Sequence, residues 1–393
     1  MITQERDFAV ARRLTELPPY LFVEIDRKKR EAAARGVDII NLGIGDPDIP
    51  TPTPIIRALA KAAREPANHR YPESEGLDRF RQAVAEWYAR RFNVSLSAQS
   101  EVLTLIGAKE GIGHLPLALV DPGDVVLIPD PAYPVYRAGT IFAGGEPYEM
   151  PLRRENGFLP DLEAIPESVV RRARLMFINY PNNPTGAVAP DTFYRDVVAF
   201  ASRHHIVVAQ DNTYSEISFD GYRPPSFLET PGAKDVGIEF HSLSKTFNMT
   251  GWRIAFAVGR ADVIEALRKV KSNLDSGAFQ AVQEAGIVAL SMADEVSARN
   301  SKVYQRRRDV LIGGLRKIGL EVDVPRATFY VWPRVPAGYD SASFVSALID
   351  QAGIVCTPGN GFGKEGEGYV RFALTADVSR LREATARIRA SLA

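Results

Sequence analysis

The chain has 393 residues, enough for two domains and a large buried core, and its 48 basic and 48 acidic residues cancel to a formal charge of zero. That balance argues against a nucleic-acid partner, and no apolar run approaches the roughly 20 residues needed to span a bilayer. The single cysteine, Cys356, excludes an intrachain disulfide and a thiol-rich metal site and reads as a buried structural thiol.

In chain order, the opening residues 1–7 lack the apolar core of a signal peptide, so the expected location is the cytoplasm. An amphipathic stretch at 77–92 is followed by the apolar run Val102-Leu103-Thr104-Leu105-Ile106 and the small-residue turn Gly107-Ala108-Lys109-Glu110-Gly111. A strand feeding such a turn into a helix presents backbone amides at the helix's positive end, where phosphate binds, and Ala108 and Lys109 would supply them. Val125-Val126-Leu127-Ile128 then leads into Pro129-Asp130-Pro131-Ala132-Tyr133-Pro134, where Tyr133 either stacks on an aromatic ligand or is a surface tyrosine held in a Pro-rich loop. Leu175-Met176-Phe177-Ile178 precedes Tyr180-Pro181-Asn182-Asn183-Pro184-Thr185-Gly186, in which Asn183 is either a donor to a ligand or a plain turn residue. After an amphipathic stretch at 192–203, the run Ile206-Val207-Val208-Ala209-Gln210 reads as a buried parallel strand ending in Asp211, with Tyr214 three residues on. Taken alone, Asp211 also reads as a helix N-cap.

The segment Ser242-Leu243-Ser244-Lys245-Thr246-Phe247-Asn248-Met249-Thr250-Gly251-Trp252-Arg253 sets one lysine among hydroxyls, with an arginine downstream. A lysine amine that is neutral near pH 7 forms an imine with an aldehyde, and a nearby cationic phosphate clamp favours that neutral form. The aldehyde that fits is pyridoxal 5'-phosphate, whose pyridine nitrogen stays protonated only beside a carboxylate. Asp211 is the expected partner of that nitrogen, and Tyr214 can donate to the phenolate oxygen. Beyond an amphipathic stretch at 262–271 the pattern changes. A long charged helix is expected at 294–317, strands around Phe329-Tyr330-Val331-Trp332 and at 369–374, and a last helix near 378–390. The alternation predicts an α/β fold with a mainly parallel, helix-covered sheet in a large domain, joined to a smaller α+β domain. The histidines show no metal-ligand spacing, and no metal site is expected.

Taken together, these motifs resemble the fold-type-I, class I/II pyridoxal phosphate aminotransferases almost end to end. The stretches Pro18-Pro19-Tyr20-Leu21-Phe22-Val23-Glu24-Ile25-Asp26-Arg27, Asn41-Leu42-Gly43-Ile44-Gly45-Asp46-Pro47-Asp48 and Lys269-Val270-Lys271-Ser272-Asn273 carry it, and the first and last resemble more narrowly the LL-diaminopimelate aminotransferases. The resemblance implies a large cofactor domain at 49–285 and a small domain made of 1–48 and 286–393. It implies that Lys245 anchors the cofactor and shuttles the proton between the substrate's α-carbon and the cofactor, and that Ser242, Ser244, Arg253, Ala108 and Lys109 hold the phosphate. Tyr71 would reach that phosphate from the other subunit of a homodimer with shared active sites. Arg371 would grip the substrate's α-carboxylate, helped by Asn183 and Gly45, and Tyr20, Lys109 and Tyr133 would contact the substrate.

The implied partners are small amino and keto acids, and the implied reaction moves the amine of glutamate to tetrahydrodipicolinate in lysine biosynthesis. Glu73 and Glu75 are either the acid that meets the substrate's distal ammonium or a solvated helix start. Ala108 stands where serine is common in the family, Ala132 where glycine is common, and Asn212-Thr213 replace two small residues. These departures leave a broader aspartate, alanine or aromatic aminotransferase open, and a pyridoxal phosphate lyase remains a further alternative. A transcription regulator built on the same fold is disfavoured, because the residues before Asn41 are too few for a DNA-binding module.

Overall fold

The chain folds around a seven-stranded sheet in a computed structural model that describes residues 10–17 and 22–392. A short strand β1 (Ile40–Asn41) comes first. The sheet itself contains β2 (Val102–Leu105), β3 (Val125–Asp130), β4 (Glu146–Pro151), β5 (Ala173–Ile178), β6 (Val207–Asp211), β7 (Gly237–Ser242) and β8 (Ala255–Gly259). Its order is β2-β8-β7-β6-β5-β3-β4; the β3–β4, β3–β5, β5–β6 and β6–β7 pairs are parallel, whereas β8 runs antiparallel to both its neighbours. Every strand but β8 therefore points the same way. The expected mainly parallel sheet is present, with one reversed strand that the apolar runs did not announce.

Helices cover both faces, as buried parallel strands require. Helix Ala108–Leu119 packs on Leu105 and Phe240 through Gly111, where a side chain would have no room. Helix Asp78–Phe92 ends at Asn93 and helix Asp191–His204 at His205, both with a φ of 54°, the left-handed turn that closes helices. The second region holds β9 (Tyr330–Val331), β10 (Ile354–Val355), β11 (Thr357–Pro358) and β12 (Val370–Ala373). β11, β12 and β9 form an antiparallel sheet, and β10 pairs in parallel with β1, which brings the N-terminal stretch to this region.

Apolar packing divides accordingly. Phe80, Trp87, Tyr88, Val197 and Phe256 belong to one core, and Ala32, Ile40, Tyr304, Leu311, Phe329 and Phe372 to another. Fully burying a Phe, Leu, Ile or Val side chain in these cores contributes roughly 1.5–3 kcal/mol. The changeover falls inside helix Ala293–Lys317, because Val296 packs with the first core and Tyr304 with the second. Among the described residues, no helix is long and apolar enough to cross a membrane.

Candidate active site

Because all strands but β8 share one direction, the segments after β2, β3, β5, β6 and β7, and the one before β8, emerge along a single edge of the sheet. Those segments carry Ala108, Tyr133, Asn183, Asp211 with Tyr214, Lys245 and Arg253 respectively. Ligands of open α/β sheets bind at this edge.

Lys245 lies in the short helix Leu243–Thr246, and its Nζ donates to the Gly45 carbonyl at 2.6 Å. Burial lowers its pKa to about 8; Asp46 and Asp211 oppose that fall, whereas Arg371 and Arg253 add to it. An amine so placed is substantially neutral just above physiological pH, as imine chemistry demands. Gly45 has no space for a side chain, since a Cβ there would collide with the Tyr330 hydroxyl.

Asp211 ends β6 and is 5% exposed. Its Oδ2 accepts from the Tyr136 hydroxyl at 2.8 Å, and its Oδ1 accepts from the Thr213 amide at 3.3 Å. Burial pushes the carboxyl above its ordinary range, although the bonds from Tyr136 and Thr213 and the charge of His241 pull it down. A protonated pyridine nitrogen is the kind of group that would meet this deficit. Tyr136 is stacked on Phe177 at 4.8 Å, and the Asn179 side chain donates to the Asp211 carbonyl at 2.7 Å. Both residues escaped the reading of the sequence; Tyr136, three positions after Tyr133, carried the only local hint.

Tyr214 is buried, and its hydroxyl lies 3.2 Å from that of Tyr330. Burial, and then Tyr330, push its pKa well above the ordinary value, which keeps the hydroxyl protonated as a donor. Arg371 on β12 is 3% exposed and stacks on Tyr330, its guanidinium carbon 4.1 Å from the ring centre. Its two terminal nitrogens donate to Asn183 Oδ1 at 2.7 Å and to the Gly43 carbonyl at 2.8 Å. Its buried Nε has no hydrogen-bond partner among the described residues. An arginine held on one side with Nε–H left over is prepared for a planar carboxylate.

The expected phosphate seat has a similar character. Helix Ala108–Leu119 begins at Gly107, φ 85°, with no side-chain cap on its first amides. A Cβ at Gly107 would strike the Arg253 guanidinium, so arginine and helix start are in contact. Ser242 Oγ accepts from the Ser244 amide at 3.2 Å, whereas Ser244 Oγ is buried without a partner among the described residues. A donor, a cation and an open helix end suit an anion. Tyr133 is partly buried, edge-on to Tyr136 at 6.1 Å, and Lys109 is exposed beside Arg253 and Tyr133.

The remaining predicted residues stand apart. Tyr71 is 89% exposed on this chain, and Tyr20 lies outside the described residues. Glu73 and Glu75 precede helix Asp78–Phe92 rather than starting it, and Glu75 faces Arg268 at 3.9 Å. Cys356 is fully buried, and His241 is paired with Glu239 at 2.7 Å.

Comparisons with known proteins agree with this geometry. Residues 37–388 match the family model described as aminotransferase class I and II. The LL-diaminopimelate aminotransferase of Moorella thermoacetica is 60% identical over 96% of this chain and 97% of its own length. That of Syntrophobacter fumaroxidans is 59% identical over 97% and 98%. The solved structure of apo-BacF from Bacillus subtilis superposes with a TM-score of 0.94 at 40% identity, covering 98% of both chains. The chain belongs to the class I and II aminotransferases, enzymes that depend on pyridoxal 5'-phosphate.

Proposed function

We propose that this protein is an LL-diaminopimelate aminotransferase, moving the amine of glutamate to tetrahydrodipicolinate and yielding LL-2,6-diaminopimelate and 2-oxoglutarate for lysine biosynthesis. The observation that carries this reading is the nearly full-length identity to relatives of that name. The working form is a cytoplasmic homodimer, and the exposure of Tyr71 is in keeping with a side chain lent to a second subunit.

Pyridoxal 5'-phosphate, when bound, supplies an aldehyde that carries the amino group and a ring that accepts the electron pair of the substrate's α-carbon. The chain's own groups do the rest. Asp211, backed by Tyr136, would keep the ring nitrogen protonated, and Tyr214 would donate to the phenolate oxygen. Tyr133 would pack against the ring. The first amides of helix Ala108–Leu119, with Ser242, Ser244 and Arg253, hold the phosphate. Arg371 binds the α-carboxylate through Nε–H and its remaining donors, while Asn183 and the Gly43 carbonyl fix the guanidinium plane. Lys245 would anchor the aldehyde until the incoming substrate amine displaces it, and its freed Nζ would then carry the proton between the substrate's α-carbon and the cofactor's C4' carbon. Closure of 1–48 and 286–393 over 49–285 would exclude water from the bound groups.

The test is a panel of purified enzyme with tetrahydrodipicolinate and glutamate beside the common amino donors and acceptors. The expected result is a clear preference for the tetrahydrodipicolinate pair. Turnover confined to aspartate and 2-oxoglutarate would refute it, and release of pyruvate or carbon dioxide in place of amine exchange would point to a lyase.

A further inference from the structure

Lys271, within the family-like stretch 269–273, takes no part in the chemistry above, yet its side chain is fully buried at 0% exposure. It lies near the end of helix Ala261–Leu274, and its Nζ sits between two carboxylates, 3.4 Å from Glu110 Oε2 and 2.8 and 3.0 Å from the oxygens of Asp275. Glu110 also accepts from the Ile106 amide through Oε2 at 3.0 Å and meets His114 Nδ1 through Oε1 at 3.0 Å. The ligand atoms of Glu110, His114 and Asp275 lie within 4.8 Å of one another, close enough to surround a metal ion. Here the cation among them is an ammonium on the chain itself.

The location gives this pairing its importance. Glu110 stands in the first turn of the helix whose open end forms the phosphate seat, and its Oε2 holds the backbone at Ile106, one residue before Gly107. A glutamate in a first helical turn is favourable while that end is empty, but it repels an arriving dianion. A buried ammonium on the same oxygen offsets that repulsion without competing for the anion, and it fixes the turn. On its other side Lys271 holds Asp275, whose Oδ1 accepts from the Gly277 amide at 2.7 Å. Gly277 lies against the backbone of Glu73, where a Cβ would come within 2.8 Å of the carbonyl oxygen, and Glu73 belongs to the segment that carries Tyr71.

We propose that Lys271 is a positioning residue for the cofactor phosphate: it neutralises Glu110 behind the phosphate-binding turn and ties that turn to the segment that bears Tyr71. This inference rests on the phosphate seat assigned above.

The test compares two ligands on full-length enzyme stripped of cofactor: pyridoxal 5'-phosphate and pyridoxal, which lacks the phosphate, each titrated by visible absorbance. Lys271→Met should weaken the phosphorylated ligand about tenfold and leave pyridoxal within about twofold of the parent. Lys271→Arg should restore most of the loss, and so should Glu110→Gln added to Lys271→Met. A merely structural lesion would weaken both ligands alike, and that result, or no change in either, overturns the proposal. Should Lys271→Met fail to fold, Glu110→Gln alone decides: it should hold the phosphorylated ligand at least as tightly as the parent, and weaker binding overturns the idea. No amino-acid substrate enters these titrations, so an error in the substrate assignment leaves them unaffected. An error in the phosphate seat would appear in the parent enzyme as no preference for the phosphorylated ligand.

Discussion

Two buried carboxylates occupy neighbouring strands and behave in opposite ways. Glu239 on β7 accepts from Tyr88, Asn212, Ser226, the Phe227 amide and His241, all between 2.7 and 2.9 Å. Burial alone would raise its pKa, but the bonds from His241, Asn212 and Ser226 and the charge of His241 bring it below the ordinary value. Asp211 on β6, paired in register with Phe240, the residue after Glu239, has two side-chain acceptor bonds and a raised pKa. The chain satisfies the first acid completely and leaves the second short of a cation. An unsatisfied buried charge persists in a fold when something outside the chain completes it. Ser244 Oγ and Arg371 Nε are likewise left incomplete, being buried without hydrogen-bond partners among the described residues.

The sharpest way to break this contrast is to neutralise each acid in turn. Asp211→Asn should lower turnover by about 10²- to 10³-fold, while the melting temperature of cofactor-free enzyme holds or rises, because a buried charge without a cation has been removed. Stopped-flow turnover and thermal unfolding of both forms would read this, and unchanged turnover would end the assignment.

A smaller effect comes from titration on the unsatisfied side. With the Lys245 pKa brought down from 10.5 to about 8, the neutral amine is gained as pH rises through that value. The rate at which stripped enzyme takes up pyridoxal should climb about tenfold per pH unit below 8 and level off above it. A rate still climbing at pH 10 would mean that burial does not tune this lysine.

The smallest change in turnover belongs to Glu239→Gln. Once folded, this variant should keep turnover within about threefold of the parent, yet lose roughly 3 kcal/mol of stability, because His241 and its neighbours lose their charged partner. Denaturant unfolding alongside the assay would measure both. A large fall in turnover with stability intact would erase the distinction between the two acids.

Much of the site could be read in the sequence because its chemistry sits at the ends of apolar runs. Asp211 closes one such strand, Asn183 lies in the turn beyond another, and Lys245 is marked by its hydroxyl neighbours. Strand β7 was hidden, since Glu239 and His241 interrupt its hydrophobic pattern although every residue in it is buried. Strand β4, at the sheet edge with only Met150 buried, lacks a continuous apolar run, and β8 is built largely from alanine, valine and glycine. The supporting tyrosines were hidden for another reason: Tyr136 meets Asp211 across 75 positions, and Tyr330 meets Tyr214 across 116. Partners so distant in the chain leave no local periodicity. Arg371 stood out only through the family resemblance, because its local pattern is that of any strand arginine and its stacking on Tyr330 joins distant parts of the chain.

The reversed strand β8 has a consequence for how this protein can vary. Ser242 is in register with Ala255, so the lysine and Arg253 ride on the tip of one hairpin clamped at its base by the sheet. That tip works as a ruler: its contour length sets the gap between the Lys245 nitrogen and the Arg253 guanidinium, the groups proposed to meet the aldehyde and the phosphate. One residue added between Phe247 and Thr250 would keep every named side chain and still misplace one charge relative to the other.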